Sequence, residues 1–446
     1  MNSAPTYTNN PRTPFVEIFL NGEQIPLLDA SGIGTSKGFL LNSFSYSRKP
    51  GGGFVGNTVE ISIIDPTWDT LTDLLVALKS NMPQQLGNFP TFGFKFGWRG
   101  IDDVEGKIIL QMFIQRWDVK FTTFGGAIID ILGQDQGFIL NFPYTGAFVS
   151  TTPISTAIST IITAAGLVPD VELTSNTVGE HGTVAGNQTG FQYINHLMKL
   201  AISTKGNVGY SIYVDNSVNP QVVRVRPPQG YPIIGKKKYV FGRGRDSEVL
   251  EFSPQYNFGL AVGLGAGKAV AMGTDGATKS PIVESSVRSE SSDVGGGLNT
   301  TRTPPLPAKV YETPWSSIQD IKAWVSRRRE IGDYANFTAT ALVWGDTSIN
   351  PFDYVHFDIL KGGKANNPLV SDILETHEFS GWYQIIRVNH MINAGMFRTS
   401  FDMYRMSGSK GTFAEVQTIK VINAVIPPQL RDFVTAKVAS LPEEGK

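Results

Sequence analysis

The stretch from Glu378 to Met406 constrains the fold more than any other part of the sequence. Apolar and polar residues alternate on both sides of a short Asn-Ala-Gly segment, as in two strands with one buried and one solvated face. Gly395 supplies the positive φ angle that a tight turn needs. We therefore predict a hairpin. Its apolar face would carry Trp382, Ile386, Val388, Ile392, Phe397, Phe401 and Met403, and its polar face Tyr383, Arg387, Asn389, Arg398, Ser400 and Asp402.

The composition fits a β-rich protein with many turns. Of 446 residues, 41% are hydrophobic, 11% aromatic and only 17% charged, and 47 are glycine. At roughly 100–200 residues per domain, two to four domains are expected. The formal net charge of -1 gives no general argument for nucleic-acid binding. Because the chain has no cysteine, it can form neither a disulfide nor a thiolate metal site.

Neither a signal peptide nor a membrane span is predicted. The N-terminus lacks the basic and apolar regions of a signal peptide. The longest apolar segment, from Ala157 to Pro169, is interrupted by hydroxyl residues and falls short of the roughly 18 residues that a membrane helix needs.

Alternating patterns dominate the first third of the chain. Residues 1–14 are polar and carry three prolines, so we interpret them as a flexible N-terminal arm. Residues 15–141 contain an early hairpin, a long hairpin that bends near Gly125-Gly126, and a possible short helix within 67–78. These elements predict a first antiparallel, tube-like β-barrel over residues 15–141.

Residues 142–240 show helical rather than alternating periodicity. Thr152 and Pro153 fit the N-cap and the first position of a helix, and Gly166 fits its C-terminal cap. A second helical pattern covers about 191–205, and two short strands follow. The segment predicts a small α+β domain.

The last part of the chain returns to strands. We predict a second tube-like antiparallel β-barrel over residues 241–406, with a mobile loop at 271–308, where periodicity is weak, and a helix at 316–332. Residues 407–446 have no compact core pattern and are predicted to be an extended C-terminal segment.

Neither the glycine-rich run near Lys268 nor the histidines form a motif for cofactor or metal binding. The glycine-rich run that ends at Lys268 lacks the first glycine of a phosphate loop, and Ala269 replaces the required Ser or Thr. The five histidines have no ligand-like spacing, and His390 falls on an apolar strand face, as a hydrogen-bonded core or edge histidine would. We therefore predict no catalytic, cofactor-binding or metal-binding residues, no cofactor, and no enzymatic activity.

The central hairpin also resembles a known family. Its sequence is similar to the C-terminal hairpin of phage baseplate hub proteins. The first strand reads Gly-Trp-Tyr-Gln-Ile-Ile-Arg-Val-Asn-His, and after a short turn the second reads Gly-Met-Phe-Arg-Thr-Ser-Phe-Asp-Met-Tyr-Arg. That family includes the late control protein D group and the hub portion of type VI secretion spike proteins. The resemblance covers roughly residues 15–406. It implies a mainly β fold with an α+β insertion, in which two tube-like antiparallel barrels flank a small α+β domain.

The family resemblance also implies a function. Three copies would form a homotrimeric ring that adapts the sixfold tail tube to the threefold central spike, leaving a channel through which DNA passes without sequence recognition. The expected partners are the tail tube protein, the central spike protein and other baseplate proteins. The expected location is the virion tail baseplate, after assembly in the host cytoplasm.

Two sets of residues are candidates for contacts in such an assembly. The candidate subunit or lumen contacts are Arg387, Asn389, Arg398, Ser400 and Asp402. The candidate partner-docking residues are Arg327, Arg328, Arg329, Val416, Ile419 and Val421, although an arginine run at a helix end is more often simply solvated. A distal tail protein or a receptor-binding adhesin built of β domains is the alternative function, and a polysaccharide hydrolase ranks third.

Overall fold

The computed structural model describes a large part of the chain, and all structural statements below concern that part. It covers residues 12–20, 23–25, 40–50, 56–65, 91–100, 104–123, 126–179, 188–218, 220–228, 231, 235–241, 248–256, 268–274, 280–287, 309–312, 321–322, 324–326, 328, 337–359 and 379–405. Strands predominate, and the mainly β fold with an α+β insertion that the sequence predicts is confirmed. Within these ranges, no helix combines the length and apolar character that crossing a bilayer requires.

The first part of the chain forms seven strands because β-branched and aromatic residues alternate with polar ones. They are β1 (Thr13–Leu20), β2 (Glu23–Ile25), β3 (Leu40–Arg48), β4 (Thr58–Asp65), β5 (Thr91–Arg99), β6 (Val104–Thr122) and β7 (Gly126–Gln134). The early hairpin is confirmed, because Leu20 pairs with Glu23 across a two-residue connection. The long hairpin is confirmed by the antiparallel pairing of β6 with β7.

The middle part, residues 136–228, is called the α+β module below. It contains a 3-10 helix (Gln136–Asn141), α1 (Ile154–Ala164), β8 (Val168–Val171), α2 (Gly190–Leu200), β9 (Ser211–Asp215) and β10 (Val222–Arg226). Strand β10 pairs with β8 in parallel and with β9 antiparallel, and the two helices pack on one face of this small sheet.

Two details of the predicted helices are wrong. Pro153, not Thr152, is the N-cap of α1, and it makes no side-chain cap hydrogen bond. Helix α2 ends at Leu200, five residues early, because Ala201 adopts an extended conformation and is buried. Gly166 does take the positive φ of +75° expected of a helix C-terminal glycine.

The last part of the chain supplies nine strands. They are β11 (Gly235–Phe241), β12 (Val249–Tyr256), β13 (Lys268–Thr274), β14 (Pro281–Val287), β15 (Lys309–Glu312), β16 (Phe337–Trp344), β17 (Tyr354–Ile359), β18 (Gly381–Asn393) and β19 (Met396–Arg405). Strands β18 and β19 form the hairpin predicted from the sequence. Ala394 and Gly395, with φ angles of 49° and 72°, occupy its two-residue turn, as a type I′ turn requires.

One large sheet runs through both ends of the chain. Its hydrogen-bonded order is β12-β16-β19-β18-β3-β4-β7-β6-β5-β1-β2, and β18 also pairs with β17, which pairs with β11. Phe94 on β5 lies 5.5 Å from Phe44 on β3, centroid to centroid, although three strands separate β3 from β5 in the sheet. The sheet must therefore curl strongly around its buried face.

The large sheet encloses two hydrophobic cores. The first is built on β1 and β3 to β7, and the second on β11, β12 and β16 to β19. The central hairpin contributes to both, because Ile392 and Phe397 lie in the first core whereas Val388 and Phe401 lie in the second. The hairpin is thus the element that joins the two cores.

The pairing of the strands corrects two predicted domain bounds. The bound at residue 14 falls inside β1, which begins at Thr13. The bound at residue 240 falls inside β11, which pairs with β17 of the large sheet and not with the α+β module. The remaining bounds stay predictions.

The predicted loop at 271–308 is wrong in part. Residues 271–274 belong to β13 and residues 281–287 are β14, and these strands pair antiparallel while β15 adds in parallel. The pattern was missed because the inward residues of β13 are alanines, which give a weak hydrophobic signal. Ala269, Ala271 and Ile282 pack under described residues of the predicted third helix, namely Ile321, Trp324 and Val325. Residues 288–308 lie outside the described part.

Several other predictions fall on residues that the structure does not describe. They are most of the N-terminal arm, the short helix within 67–78, the ends of the helix at 316–332, and the C-terminal segment 407–446.

Candidate functional site

A β-bulge in the central hairpin changes which side chains face the interior. The register of β18 against β19 shifts between Ile385 and Arg387. One extra residue reverses the alternation, so Tyr383 and Ile385 point inward before the bulge and Val388 after it. The predicted placement of Tyr383 on the polar face is therefore wrong, because its side chain is fully buried.

Beyond the bulge, the predicted polar face is observed. Arg387 lies opposite Asp402 and Asn389 lies opposite Ser400 in the register of the hairpin. The Arg387 guanidinium is 3.4 Å from the Asp402 carboxylate, and both side chains are about half exposed. Arg398 lies on the same face, two residues before Ser400 on β19. The structure thus brings the five candidate contact residues together on one surface.

This surface continues over the neighbouring strands. On β3, the Ser45 hydroxyl donates to Asn389 Oδ1 at 3.2 Å. On β4, the Ser62 hydroxyl donates to Asp130 on β7 at 2.7 Å. On the other side of the hairpin, Thr340 of β16 lies opposite Asp402 and is exposed. We call this continuous surface, which runs from β6 to β12 through the central hairpin, the polar sheet face.

The charges on the polar sheet face are arranged in local pairs. Lys120 of β6 lies 2.9 Å from Asp130, and Arg116 lies 3.0 Å from Asp118 on the same strand. The hydrogen bond from Lys120 lowers the pKa of Asp130, and the bond from Ser62 adds to the effect. With the pair on the hairpin, three ion pairs lie on this surface, and serine, threonine and asparagine side chains lie among them. Arg398 on the same face donates to the Met396 sulfur instead of a carboxylate.

The predicted docking residues are only partly placed. Arg328 is half-buried at the end of the described helical segment. That segment packs on β13 and β14 through Trp324 and Val325. Arg327, Arg329, Val416, Ile419 and Val421 lie outside the described residues.

A buried polar junction was not predicted from the sequence. Arg48 at the end of β3 is fully buried and donates to the Tyr213 hydroxyl of the α+β module. It also donates to the backbone carbonyl of Ile349 and to the Asn350 side chain, which follow β16. One side chain therefore ties together both parts of the large sheet and the module. Strand periodicity could have indicated that Arg48 is buried, since it follows Phe44 and Tyr46 at alternate positions of β3.

His390 lies beside this junction and is the core histidine that its position predicted. Its Nδ1 atom is 3.1 Å from the Thr399 hydroxyl, and its ring stacks on Tyr46 with centroids 6.1 Å apart. Burial, aided by the nearby charge of Arg48, holds the pKa of His390 well below its usual value. The imidazole is therefore neutral near pH 7 and acts in packing.

Comparison with known proteins identifies the fold. No protein-family model matches the sequence, and no curated protein matches it either. A tail protein from Neisseria meningitidis MC58 matches with a TM-score of 0.54 and 9% identity, covering 88% of this chain and 97% of that chain. The 43 kDa tail protein of prophage MuSo2 from Shewanella oneidensis matches with a TM-score of 0.53 and 8% identity, over 89% and 98%.

The chain shares its fold with these two tail proteins. The matches extend over nearly the full length of both neighbours, so they include the large sheet and the α+β module together. At this level of identity the tail-protein fold is established, and the assignment of a role rests on the surfaces described above.

Proposed function

We propose that this chain is a structural hub subunit of a phage tail baseplate or of a related contractile injection system. The observation that carries the proposal is the polar sheet face, a surface with three ion pairs that crosses both cores of a tail-protein fold. The protein would act by shape and symmetry, without catalysis, within the virion after assembly in the host cytoplasm.

The two cores give a physical basis for symmetry adaptation. Each contains a long hairpin, β6–β7 or β18–β19, with a cross-strand ion pair on the polar face. Three copies in a closed ring would present six such units, which matches a sixfold tail tube on one side and a threefold spike on the other. Exposed strand edges would pair between subunits in that ring.

The polar sheet face has the chemistry expected of a channel wall. DNA is held by unpaired lysines and arginines that neutralise phosphates. Lys120, Arg116 and Arg387 are each paired with a carboxylate on the polar sheet face. Arg398 on the same face donates to the Met396 sulfur and has no carboxylate partner among the described residues. A wall with so few unpaired cations would be wetted and would hold a passing polyanion only weakly. We therefore assign Arg387, Asn389, Arg398, Ser400 and Asp402 to the channel wall or to subunit contacts beside it.

The remaining surfaces would hold the other partners. The third helix, with Arg327, Arg328 and Arg329, and the C-terminal segment, with Val416, Ile419 and Val421, are proposed to dock the tail tube protein, the spike or other baseplate proteins. Charge reversal of Arg328 to Glu tests the helix, since it should weaken co-purification with a partner without changing the mass of the ring.

The proposal is tested by the mass and the location of the protein. Native mass spectrometry of the purified chain should give three times the 48.6 kDa chain mass. Cryo-electron microscopy of the particle should place the chain in a ring at the distal end of the tube, with the polar sheet face toward the axis. A monomer that binds glycans would support the adhesin instead, and a ring whose polar sheet face points outward would refute the channel assignment.

A further inference from the structure

The α+β module has an apolar core that is separate from those of the large sheet. Its buried cluster runs from Leu140 to Val225 and includes no residue of the large sheet, and neither sheet core includes a residue of the module. Ile202 and Val208 pack against the sheet of β13, β14 and β15 and against the described part of the predicted helix at 316–332. Among the described residues, hydrogen bonds and a cation–π contact link the module to the large sheet.

Asp135 is at the centre of these contacts. One carboxylate oxygen accepts from the backbone N–H of Asn57 at 2.7 Å, and the other from the backbone N–H of Gly137 at 3.0 Å. Asn57 in turn donates through its side-chain amide to the Val214 carbonyl of β9 at 2.8 Å. Asp135 thus positions Asn57, whose side chain bonds to the module, and also the start of the 3-10 helix.

The module covers Asp135. The carboxylate is fully buried, although it directly follows the last residue of β7. The side chain of Gln221, a module residue, accepts from the backbone N–H of Gln136 through Oε1 at 3.2 Å. Its Nε2 donates to the Leu110 carbonyl of β6 at 2.9 Å. Lifting the module from the sheet would remove this cover and return Asp135 to water.

Asp135 is the group at the junction that titrates near neutral pH. Burial raises the pKa of Asp135 from 3.8 to about 7, even though Arg48 and the two backbone donors oppose the shift. Tyr46 on β3 and Tyr213 on β9 have pKa values raised by burial and stay neutral. Among the other charged groups that face the junction, the raised pKa of Arg48 on β3 keeps it a cation and the lowered pKa of Asp215 on β9 keeps it an anion, while the lowered pKa of His390 on β18 leaves its imidazole neutral near pH 7.

We propose that this junction is a proton-controlled clasp, which holds the α+β module on the sheet most firmly in mildly acidic solution and loosens as the pH rises. The sign follows from linkage, because the closed form binds the Asp135 proton more tightly than the open form does. The stabilisation is complete below pH 3.8, declines as the pH rises and is lost above about 7. This inference does not depend on the hub function.

Hydrogen exchange of the full-length protein tests the clasp. The amides to follow are those of Asn57 and Gly137, which open when Asp135 is exposed, and helix α1 inside the module core serves as the internal reference. After correction for intrinsic exchange, the opening equilibrium constant of the two amides should rise about 20-fold between pH 5.5 and 7.5. The rise of the Asp135 pKa from 3.8 to about 7 requires this change. Helix α1 should show no such change, and equal protection of the two amides at both pH values would overturn the proposal.

Three variants complete the test. In Asp135→Asn the side chain carries no charge, so the pH dependence of the two amides should disappear, and its persistence would contradict the proposal. Asp402→Asn removes an exposed carboxylate elsewhere and should keep the full dependence. Tyr46→Phe removes the 2.8 Å bond to Asn216 of the module. It should raise exchange by a similar factor at both pH values and retain the 20-fold change, so the test remains decisive if Asp135→Asn fails to fold.

Discussion

The central hairpin and the α+β module are attached to the same sheet by different means. Strand β18 forms backbone ladders with β3, β17 and β19, and the hairpin places side chains in both cores. The module is held by side chains such as Arg48, Asn57 and Gln221, over a boundary that the apolar cores do not cross. Backbone ladders open only when strands unfold, whereas a side-chain junction responds to the chemistry of single groups. The hairpin therefore provides rigidity and the module an adjustable attachment.

The largest effect is expected from the apolar side of the hairpin. Phe397 is fully buried between Phe96, Trp98 and His390. Phe397→Ala should lower the free energy of unfolding by about 3–5 kcal/mol, because it leaves a cavity where the hairpin joins the first core. Denaturant unfolding measures this loss. Ser400→Ala on the opposite face is the control and should change the value by less than about 0.5 kcal/mol.

The junction of the module should show a smaller loss that is shared between partners. Tyr213→Phe takes an acceptor from buried Arg48, and Arg48→Met takes the donor from Tyr213. Each should lower the free energy of unfolding by about 2 kcal/mol, since a buried polar group loses its partner. The double variant should lose less than the sum, with a coupling energy of roughly 0.5–3 kcal/mol. Strict additivity would show that the bond does not hold the module.

Acid should weaken a polar contact on the hairpin side. Asp346 accepts from Tyr239 at 2.9 Å and from Lys237 at 3.1 Å. Burial opposes ionisation, but Lys237 and Ser348 outweigh it and hold the pKa of Asp346 below its usual value. The contact therefore stabilises the fold above about pH 4 and is lost as the pH falls through the lowered pKa.

Replacement of Asp346 should isolate this effect. Asp346→Asn should cost about 2 kcal/mol at pH 7. The variant should also lose less stability than the parent protein between pH 5 and 2, as followed by thermal or denaturant unfolding. If the variant and the parent protein lose the same free energy of unfolding between pH 5 and 2, carboxylates other than Asp346 determine the acid sensitivity.

The smallest effect is expected on the polar sheet face. The Arg387–Asp402 pair is solvated, with side-chain exposures of 50% and 42%. Breaking it with Arg387→Ala should change the free energy of unfolding by less than about 0.5 kcal/mol, and added salt should reduce that difference further. A loss above about 1 kcal/mol in the purified protein would show that the face is covered in the assembly.

The predictions from sequence succeeded where a pattern is local. The alternation in β19, the turn at Gly395, the inward run of β4 and the C-terminal glycine of α1 all follow from the chemistry of adjacent residues. They failed where the pattern is broken or faint. The bulge in β18 reverses a regular alternation at one residue, and the alanines of β13 give too little contrast to reveal a strand.

The candidate site divides in the same way. The five hairpin residues could be assigned to one face because strand periodicity fixes their direction. That this face continues over β3, β4 and β7, and that its charges are paired, depends on strands far apart in the chain. Likewise, Arg48 could be identified as an inward charge from its position, but its partners lie 165 to 302 residues away.

By itself, the sequence determined the strands with a clear alternation, the helical insertion and the two-faced hairpin. Side-chain periodicity and turn chemistry act within a few residues, so they can be recognised locally. The tertiary structure decided that one sheet passes through both cores and that a buried polar junction holds the module. Those outcomes depend on strand order and on which groups lose contact with water, and both are set only when distant segments meet.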